Sequence, residues 1–578
     1  MSYDVPVTAG SRWRDRASGW VTVLALAGMA VYAFFLRCLH LLNDDGHYYV
    51  IGADSYFFHW LAQRVMDGEP PPLNAPEFGV YTLRSGLAYP IAYLSRAIGA
   101  DSVEFMSKFV PPFLAVVSLV LIYLAVSRIC NRRVALLSAF SWAIMSHAFV
   151  IGGAGYVDRD SLSMLLVMAG AFLFYISYRW RLVVRGRDAG WLAAGLGVLL
   201  IEVMISLEWA FAGRVLLLAL IAAYFLVRFL VGFSVRRVPQ PDIKGRFSAA
   251  IKEVSWRAFA VIVAGNIVWE SLILGGVLGV EPGFLSKFAT MMGIIEAGGS
   301  GEFVSGARIS EMMRMKPFDD IILGYHFFLI PIAAGLYVTW TRRDEGGIFF
   351  ICWFAVLLIL SLFARRILLY AVPAASMLSG LGLVYLWEVE VAPQQQQLKK
   401  AGVAILICLS IVLATSVAYH IGSAMAAPEE WQDAMAYLED NTPEDAVVMS
   451  NWTYGYWILD LGNRRSVIDN GYYNYDLDRL RDVATVYFTS DTAEAVEIME
   501  KYDAEYLIFT KDDVTSYAST ILDWAEFDEE YDSFLPNSLV VRSIDGLLKP
   551  EEGLEVIYRS PTHSRIVILG LTTPGEAM

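Results

Sequence analysis

Two aspartates separated by one residue, Asp158 and Asp160, lie between two long apolar runs of the sequence. Residues 134–152 precede them and residues 161–179 follow them, and each run is long enough to cross a bilayer. Carboxylates at the water end of a membrane span are costly unless a positive group binds them. Hard oxygen donors of this kind suit magnesium or manganese. The spacing therefore indicates a site for Mn²⁺ or Mg²⁺, and the alternative is a solvated loop with two ordinary acids.

Two more acids, from distant parts of the chain, are expected near the same site. Asp54 lies in the aromatic-rich stretch that begins at Gly52, and Glu311 lies at the end of the glycine-rich loop 281–318. Taken singly, each is typical of a loop carboxylate. Several carboxylates around one cavity repel one another unless a metal ion neutralises them. Together the four acids favour one shared metal ion.

The elements that would position these acids are membrane spans. The chain has 578 residues, of which 56% are hydrophobic, and a mean hydropathy of +0.49, which excludes a single soluble domain. The hydropathy pattern predicts about eleven spans. They cover residues 19–36, 109–127, 134–152, 161–179, 189–206, 210–230, 258–280, 320–338, 347–363, 367–387 and 401–424. The four cysteines lie in or beside these runs without metal-ligand spacing, and we interpret them as packing residues.

Loop charges predict the orientation of the chain. Arginine and lysine cluster in alternate short loops, and that side is predicted to be cytoplasmic. The outer face then holds the loops 37–108, 153–160 and 281–318, together with everything that follows the last span. The protein is accordingly expected to be multi-pass in the cell (inner or plasma) membrane, with the lipid bilayer as a partner.

The character of the sequence changes after the last span. We divide the chain into a multi-span transmembrane catalytic domain, residues 1–425, and an extracytoplasmic soluble α/β domain, residues 426–578. Helices are predicted over 430–440 and 479–501, and strands over 446–450, 506–510, 538–542, 554–558 and 565–571. The net charge of −15 and the acidic soluble domain argue against nucleic acid as a partner.

An aromatic turn follows the first predicted strand of this domain. It consists of Asn451, Trp452, Thr453, Tyr454 and Gly455, and we call it the aromatic segment. Aromatic and glycine residues at the end of a strand are typical of a recognition loop. Asn451 and Thr453 also form a glycosylation sequon, which we interpret as coincidence.

At this point the sequence resembles a known family. Residues 448–458 resemble the WWDYG region of oligosaccharyltransferase catalytic subunits of the single-subunit bacterial and archaeal type. Asp54 resembles the first-loop aspartate of that family, and residues 158–160 resemble its second-loop DxD. Glu311 resembles its flexible-loop glutamate, and Arg366 resembles the arginine near the lipid pyrophosphate. The order of these parts agrees from about residue 20 to residue 525.

The resemblance implies a fold and an activity. The fold would be a polytopic α-helical membrane protein of the GT-C glycosyltransferase type, with about 11 to 13 transmembrane helices. The activity would be metal-dependent, inverting transfer of a glycan from a polyprenyl (pyro)phosphate carrier to asparagine of acceptor proteins, on the outer face. The partners would be the lipid-linked donor and sequon-like acceptor polypeptides, and the chain is expected to act as a single subunit.

The resemblance also implies residue roles. Asp54 and Glu311 would be catalytic, because they would accept hydrogen bonds from the acceptor amide. Asp54, Asp158, Asp160 and Glu311 would hold Mn²⁺ or Mg²⁺, and Arg366 would bind the lipid pyrophosphate. The aromatic segment, Asn451 to Gly455, would recognise the acceptor.

Two positions depart from the family pattern. Asn451-Trp452-Thr453 replaces Trp-Trp-Asp, so a neutral hydroxyl stands where the family has a carboxylate that accepts a hydrogen bond from the acceptor's Ser or Thr. Further on, Ser516 or Tyr517 takes the place of the lysine in a DxxK helix. These departures leave two other hypotheses open. One is a GT-C enzyme that acts on a lipid or a Ser/Thr hydroxyl, and the other is a flippase or transporter of lipid-linked sugars.

Overall fold

The computed structural model describes most of the chain in two parts, a helical bundle and a mixed sheet with helices. The described residues are 12–43, 50–69, 87–99, 102–158, 160–183, 211–235, 321–322, 324–342, 345–362, 365–470, 477–511, 513, 535–548, 553–561 and 566–572. The helices before residue 426 are Arg12–Arg37, Ala53–Asp67, Ala88–Ile98, Glu104–Ile129, Arg132–Ile144, Ser146–Gly152, Asp160–Val183, Phe211–Val235, Leu329–Arg342, Glu345–Ser361, Val372–Glu388 and Pro393–Met425. Short 3₁₀ helices cover Leu39–Asn43, His326–Phe328 and Arg365–Ala371.

The bundle confirms the predicted multi-span helical membrane fold. Within the described residues, four helices are long and apolar enough to cross a bilayer: Gly19–Arg37, Glu104–Ile129, Arg365–Glu388 and Pro393–Ile421. Three shorter apolar helices accompany them: Asp160–Tyr175, Leu216–Leu230 and Gly346–Ser361. The predicted spans 189–206 and 258–280 and the loop 281–318 lie outside the described residues.

One predicted span is not a continuous helix. The apolar run 134–152 is divided at Met145, whose backbone is extended (φ −77°, ψ 126°), into Arg132–Ile144 and Ser146–Gly152. The buried guanidinium of Arg37 lies at this break and donates hydrogen bonds to the carbonyls of Ala143 (3.2 Å) and Ala148 (3.4 Å). The last carbonyl groups before a helix break lack helical partners, and Arg37 supplies a hydrogen bond to one of them, that of Ala143. Hydropathy counts apolar residues and could not predict this.

The soluble part contains a five-stranded sheet of order β2-β1-β3-β5-β4. The strands are β1 Val447–Ser450, β2 Arg465–Ser466, β3 Tyr506–Phe509, β4 Leu554–Arg559 and β5 Val567–Leu571. Strand β1 is parallel to β2 and β3, whereas β5 is antiparallel to β3 and β4. The helices of this part are Glu429–Asn441, Gly455–Asp460, Leu477–Phe488, Thr492–Lys501 and Leu539–Ile544, with 3₁₀ turns at Trp452–Tyr454 and Leu535–Asn537.

The prediction of a strand over 538–542 is wrong. This run forms the helix Leu539–Ile544, which begins after Ser538, whose hydroxyl accepts a hydrogen bond from the backbone N–H of Val541 (3.4 Å). Leu539, Val540 and Ser543 are buried. Residues three and four positions apart lie on the same side of a helix, so this pattern of burial is helical. A serine at the N-cap is a helix start signal, and it outweighed the β-branched residues that follow.

The two parts share one apolar core. Tyr56, Phe57 and Leu61 of the helix Ala53–Asp67 belong to the same buried cluster as Trp431 and Tyr456 of the soluble part. The helix Pro393–Met425 ends at this junction, and the backbone N–H of Ala427 donates to the hydroxyl of Tyr56 (2.9 Å). The soluble part is therefore packed directly on the helix that carries Asp54.

Candidate functional site

The turn that carries Asp158, residues 153–160, is held by backbone hydrogen bonds from three directions. The N–H of Ala154 donates to the carbonyl of Arg37 (2.9 Å), and the N–H of Gly155 donates to the carbonyl of Lys108 (3.2 Å). The carbonyl of Gly155 accepts from the N–H of Ile51 (3.1 Å). Gly155 has φ +78°, a conformation that favours glycine. The position of the turn is thus fixed by the ends of neighbouring helices.

The two aspartates of this turn meet Arg366. Its Nη2 atom donates to Oδ2 of Asp158 (2.9 Å) and to Oδ2 of Asp160 (2.8 Å), and its Nε atom donates to the same oxygen of Asp160 (3.1 Å). The side chains of Asp158, Asp160 and Arg366 are 4%, 5% and 15% exposed. A buried carboxylate pair needs such a partner, and a guanidinium fork can contact both acids at once.

Two tyrosine hydroxyls complete this cluster. The hydroxyl of Tyr156 donates a hydrogen bond to Oδ2 of Asp158 (3.2 Å), and that of Tyr370 donates one to Oδ1 of Asp160 (3.2 Å). Tyr370 and Arg366 lie on the same 3₁₀ helix, Arg365–Ala371. Sequence reasoning missed both tyrosines, because nothing in their local sequence distinguishes them from packing aromatics. We call Asp158, Asp160, Arg366 and the two tyrosines the aspartate–arginine cluster.

The helix that carries Asp54 begins beside this cluster. The helix Ala53–Asp67 begins after Gly52, and Asp54 lies in its first turn. Gly52 has φ +88°, and a Cβ atom there would lie 2.9 Å from the ring of Tyr156. Only glycine permits this close approach, which places the Asp54 turn against the tyrosine that donates to Asp158.

The predicted metal ligands are only partly described. Glu311 lies outside the described residues. Within the described part of the chain, no group of three or more His, Cys, Asp or Glu side chains is arranged to hold a metal ion. The structure brings together Asp158 and Asp160, and both carboxylates form ion pairs with Arg366.

The aromatic segment is built around a buried carboxylate, Asp513. Its Oδ1 atom accepts hydrogen bonds from Nδ2 of Asn451 (2.8 Å) and from the hydroxyl of Tyr454 (3.1 Å). Its Oδ2 atom accepts from the backbone N–H of Thr510 (2.7 Å). Asn451, Tyr454 and Asp513 are all buried. Asp513 therefore joins the aromatic segment to the end of β3.

Tyr487 provides a second fixed point for this segment. Its hydroxyl accepts from the backbone N–H of Asn451 (2.7 Å) and donates to the carbonyl of Ile508 (2.6 Å). Burial raises the pKa of the Tyr487 hydroxyl well above its ordinary value, and the charge of Asp513 acts in the same direction. The hydroxyl therefore keeps the proton that it donates. Sequence reasoning missed Tyr487, since only the folded chain places it beside Asn451.

The other residues of the aromatic segment divide into packing and polar roles. A Cβ atom on Gly455 would lie 2.4 Å from Cα of Asp469, which explains why glycine follows Tyr454. The rings of Tyr454 and Trp431 are 4.1 Å apart, and Trp452 is half-buried. Thr453 differs from its neighbours: its hydroxyl oxygen is buried and has no hydrogen-bond partner among the described residues. A buried hydroxyl without a partner costs free energy, and a ligand can supply the missing bond.

Sequence comparison identifies glycosyltransferase relatives. No protein-family model matches the chain. The dolichyl-phosphooligosaccharide-protein glycotransferase 1 of Archaeoglobus fulgidus is 24% identical over 535 residues, which cover 82% of this chain and 84% of that protein. The dolichyl-diphosphooligosaccharide–protein glycosyltransferase subunit STT3B of rice (Oryza sativa subsp. japonica) is 25% identical over 251 residues. That match covers 35% of this chain and only 34% of the rice protein.

Solved structures share the fold. The archaeal oligosaccharyltransferase AglB from A. fulgidus, in complex with an inhibitory peptide and a dolichol-phosphate, superposes with a TM-score of 0.69 at 15% identity, covering 94% of this chain and 80% of that chain. A structure of an A. fulgidus oligosaccharyltransferase in complex with zinc and sulfate gives a TM-score of 0.64 at 15% identity, covering 93% of this chain and 79% of that chain. ArnT from Cupriavidus metallidurans gives 0.53 at 11% identity, covering 96% and 98%. At these identities the likeness establishes a GT-C membrane fold.

Proposed function

We propose that this chain is a member of the oligosaccharyltransferase family and that it transfers a glycan from a polyprenyl (pyro)phosphate carrier to asparagine of acceptor proteins. The observation that carries this proposal is the aspartate–arginine cluster. In it, Arg366 contacts the carboxylates of two residues far away in the sequence, and the nearer of them, Asp160, precedes it by 206 positions. Charged groups that are buried to this extent are expensive unless they are paired. A buried cluster of this kind is therefore expected to serve a reaction.

The charge of the cluster supports a metal ion as cofactor. Two carboxylates and one guanidinium carry one net negative charge, which repels a phosphate. A divalent cation such as Mn²⁺ or Mg²⁺ would make the net charge positive, and carboxylate oxygens are the donors that such ions prefer. Asp158 and Asp160 fit this role by chemistry and position, and Asp54 and Glu311 are the proposed further ligands. When bound, the ion would supply positive charge opposite the leaving phosphate.

Arg366 is proposed to act at the donor end of the site. Its guanidinium presents several N–H donors in one plane, which suits a phosphate as well as a carboxylate. Tyr156 and Tyr370 keep the two aspartates oriented. The archaeal structure was solved with a dolichol-phosphate, which supports a lipid-linked phosphate as a substrate of this chain.

Asp54 and Glu311 are proposed to act on the acceptor asparagine. The nitrogen of an amide is a poor nucleophile because its lone pair is delocalised into the carbonyl group. Carboxylates that accept hydrogen bonds from both amide N–H groups weaken this delocalisation. The nitrogen then attacks the sugar carbon from the side opposite the phosphate. The carbon–nitrogen bond forms as the carbon–oxygen bond breaks, the lipid (pyro)phosphate leaves with the bonding electrons, one amide proton passes to Asp54 or Glu311, and the configuration is inverted.

The aromatic segment is proposed to select the acceptor through Thr453. The hydroxyl of Thr453 can accept a hydrogen bond from the hydroxyl of a Ser or Thr in an acceptor sequon. This bond is neutral, and it is therefore weaker than one to a carboxylate.

We further propose that the chain works alone, that the site and residues 426–578 face the outside of the cell membrane, and that residues 1–425 form the transmembrane catalytic domain.

A second candidate function is transfer from the same kind of donor to a different acceptor, a lipid or a Ser/Thr hydroxyl. The observation in its favour is Thr453 itself, since the carboxylate that the family uses at this position is missing. The ArnT fold match is consistent with it, because the fold alone does not determine the acceptor.

One experiment separates the two functions. Purified protein is incubated with Mn²⁺, a lipid-linked glycan extract and a fluorescent Asn-x-Thr peptide, and glycopeptide is detected by gel mobility. A matched Asn-x-Ala peptide and a reaction with EDTA serve as controls. The proposal requires transfer to the first peptide that falls sharply with the second and with EDTA. Glycan transfer to endogenous lipid without any glycopeptide would support the alternative.

A further inference from the structure

A buried polar pair joins the helix that carries Asp54 to the soluble part of the chain. Nδ1 of His59 and Oδ1 of Asp460 are 2.8 Å apart, although the residues are separated by 401 positions. Their side chains are only 11% and 3% exposed. Burial raises the pKa of the Asp460 carboxyl, and the neighbouring imidazole of His59 opposes that shift. The pair therefore holds a hydrogen bond in a largely water-free contact.

His59 and Asp460 lie on the two helices that carry the two parts of the proposed acceptor site, Asp54 and the aromatic segment. His59 and Asp54 belong to the helix Ala53–Asp67. Asp460 ends the short helix Gly455–Asp460, which continues directly from the aromatic segment. A rotation of one helix against the other would therefore change the distance from Asp54 to Thr453.

The remaining contacts between these two helices are mainly apolar. The rings of Phe57 and Tyr456 are 5.1 Å apart, and those of Tyr56 and Trp457 are 6.3 Å apart. Apolar burial is not directional, so it constrains the alignment of the two helices less sharply than a hydrogen bond does. A hydrogen bond has a preferred distance and angle, and a buried carboxyl that loses its partner is costly. Of these contacts, the pair is therefore the one that selects a single alignment.

We propose that His59 and Asp460 are positioning residues that set the spacing between the catalytic carboxylate Asp54 and the acceptor-binding aromatic segment. This inference rests on the proposed function, since one acceptor peptide must reach both places. An acceptor that spans the two elements is sensitive to their alignment. The lipid-linked donor, which the aspartate–arginine cluster binds, is not.

The test is a separation of kinetic constants in the full-length protein. Apparent KM values for the Asn-x-Thr peptide and for the lipid-linked donor are measured for His59→Ala, Asp460→Ala and the double variant. We expect acceptor KM to rise about fivefold to tenfold in each single variant, from the loss of one buried hydrogen bond. Donor KM and kcat at saturating peptide should change by less than about twofold, and the double variant should match the singles because the pair acts as a unit.

Two further variants guard against a general folding defect. Asp460→Asn keeps the Oδ1 acceptor for the His59 N–H, and it should retain an acceptor KM close to that of the wild type. Asp67→Ala removes an exposed carboxylate from the same helix as His59 and serves as the matched control. If His59→Ala fails to accumulate, His59→Phe, which preserves volume, replaces it.

The possible outcomes separate this inference from the proposed function. Absence of peptide transfer by the wild-type protein would overturn the proposed function. Wild-type transfer with an unchanged acceptor KM in the alanine variants, or with an equal rise in donor KM, would overturn the positioning role alone. An acceptor KM that rises equally in Asp460→Asn and Asp460→Ala would also contradict it.

Discussion

The aspartate–arginine cluster and the aromatic segment differ in how their buried polar groups are stabilised. In the cluster, Asp158 and Asp160 are neutralised by the guanidinium of Arg366. In the aromatic segment, Asn451 and Tyr454 donate to one carboxylate, Asp513, and the remaining partners are hydroxyl and backbone groups. The first depends on charge, and the second depends mainly on shape and hydrogen-bond direction.

This difference predicts how strongly substitutions in each region affect the binding of the donor and of the acceptor. A charge-based site binds phosphates strongly and tolerates little change in charge. The aromatic segment offers the acceptor a neutral hydroxyl, Thr453, so it discriminates by whether that hydrogen bond is made, and such a bond contributes only about 1 kcal/mol. We therefore expect large effects at the cluster and smaller, acceptor-specific effects at the aromatic segment.

The largest effect is expected from Asp158→Asn. The substitution preserves the side-chain shape but removes the charge that Arg366 neutralises and that a divalent cation would need. We expect the transfer rate to fall by about a hundredfold or more, as when a group that stabilises transition-state charge is lost. Initial rates are measured on purified protein, with exposed Asp440→Asn as the matched control. A rate within threefold of the wild type would show that the cluster does not serve the reaction.

Arg366→Lys should have the next largest effect. Lysine keeps the charge, but its single ammonium group cannot reproduce the three bonds that Arg366 makes to Asp158 and Asp160. We expect about a tenfold to hundredfold loss in kcat/KM for the lipid-linked donor, or roughly 1.4 to 2.8 kcal/mol. The adjacent, exposed Arg365→Lys should behave like the wild type. Equal losses in the two variants would contradict a specific role for the hydrogen bonds that Arg366 makes to the two aspartates.

Thr453→Val should affect only acceptor selection. Valine has nearly the same shape as threonine but lacks the hydroxyl. We expect the KM for the Asn-x-Thr peptide to rise about fivefold to tenfold, and the weak use of an Asn-x-Ala peptide to stay unchanged. Kinetics with both peptides provide the measurement. A similar change with both peptides would contradict hydroxyl recognition and would indicate a packing role.

Tyr487→Phe should have the smallest effect on catalysis and a visible one on stability. The substitution removes the hydroxyl that accepts from Asn451 N–H and donates to the carbonyl of Ile508, and both groups then lack their buried partner. We expect a loss of about 1–3 kcal/mol in the free energy of unfolding. Thermal unfolding in detergent reports the change as a lower midpoint, with exposed Tyr93→Phe as control. An unchanged midpoint would mean that water replaces the lost hydroxyl.

Much of the architecture was predictable from local pattern. Apolar runs of membrane length became helices at Glu104–Ile129, Asp160–Val183 and Pro393–Met425, because burial in lipid requires a helix with every backbone group satisfied. The predicted strands at 446–450 and 506–510 became β1 and β3 for a similarly local reason. The strand predicted at 538–542 failed, since a serine cap can start a helix even before β-branched residues.

The reactive residue types can be read from the amino-acid sequence: acids at the ends of spans, an aromatic turn after a strand and arginine at position 366. Which of these residues are in contact depends on how the chain folds. Arg366 contacts Asp158, Arg37 fills the break at Met145, and His59 contacts Asp460. Each of these contacts joins residues more than a hundred positions apart, and their partners are chosen by packing and by the cost of unpaired buried charge. Local sequence carries no record of either.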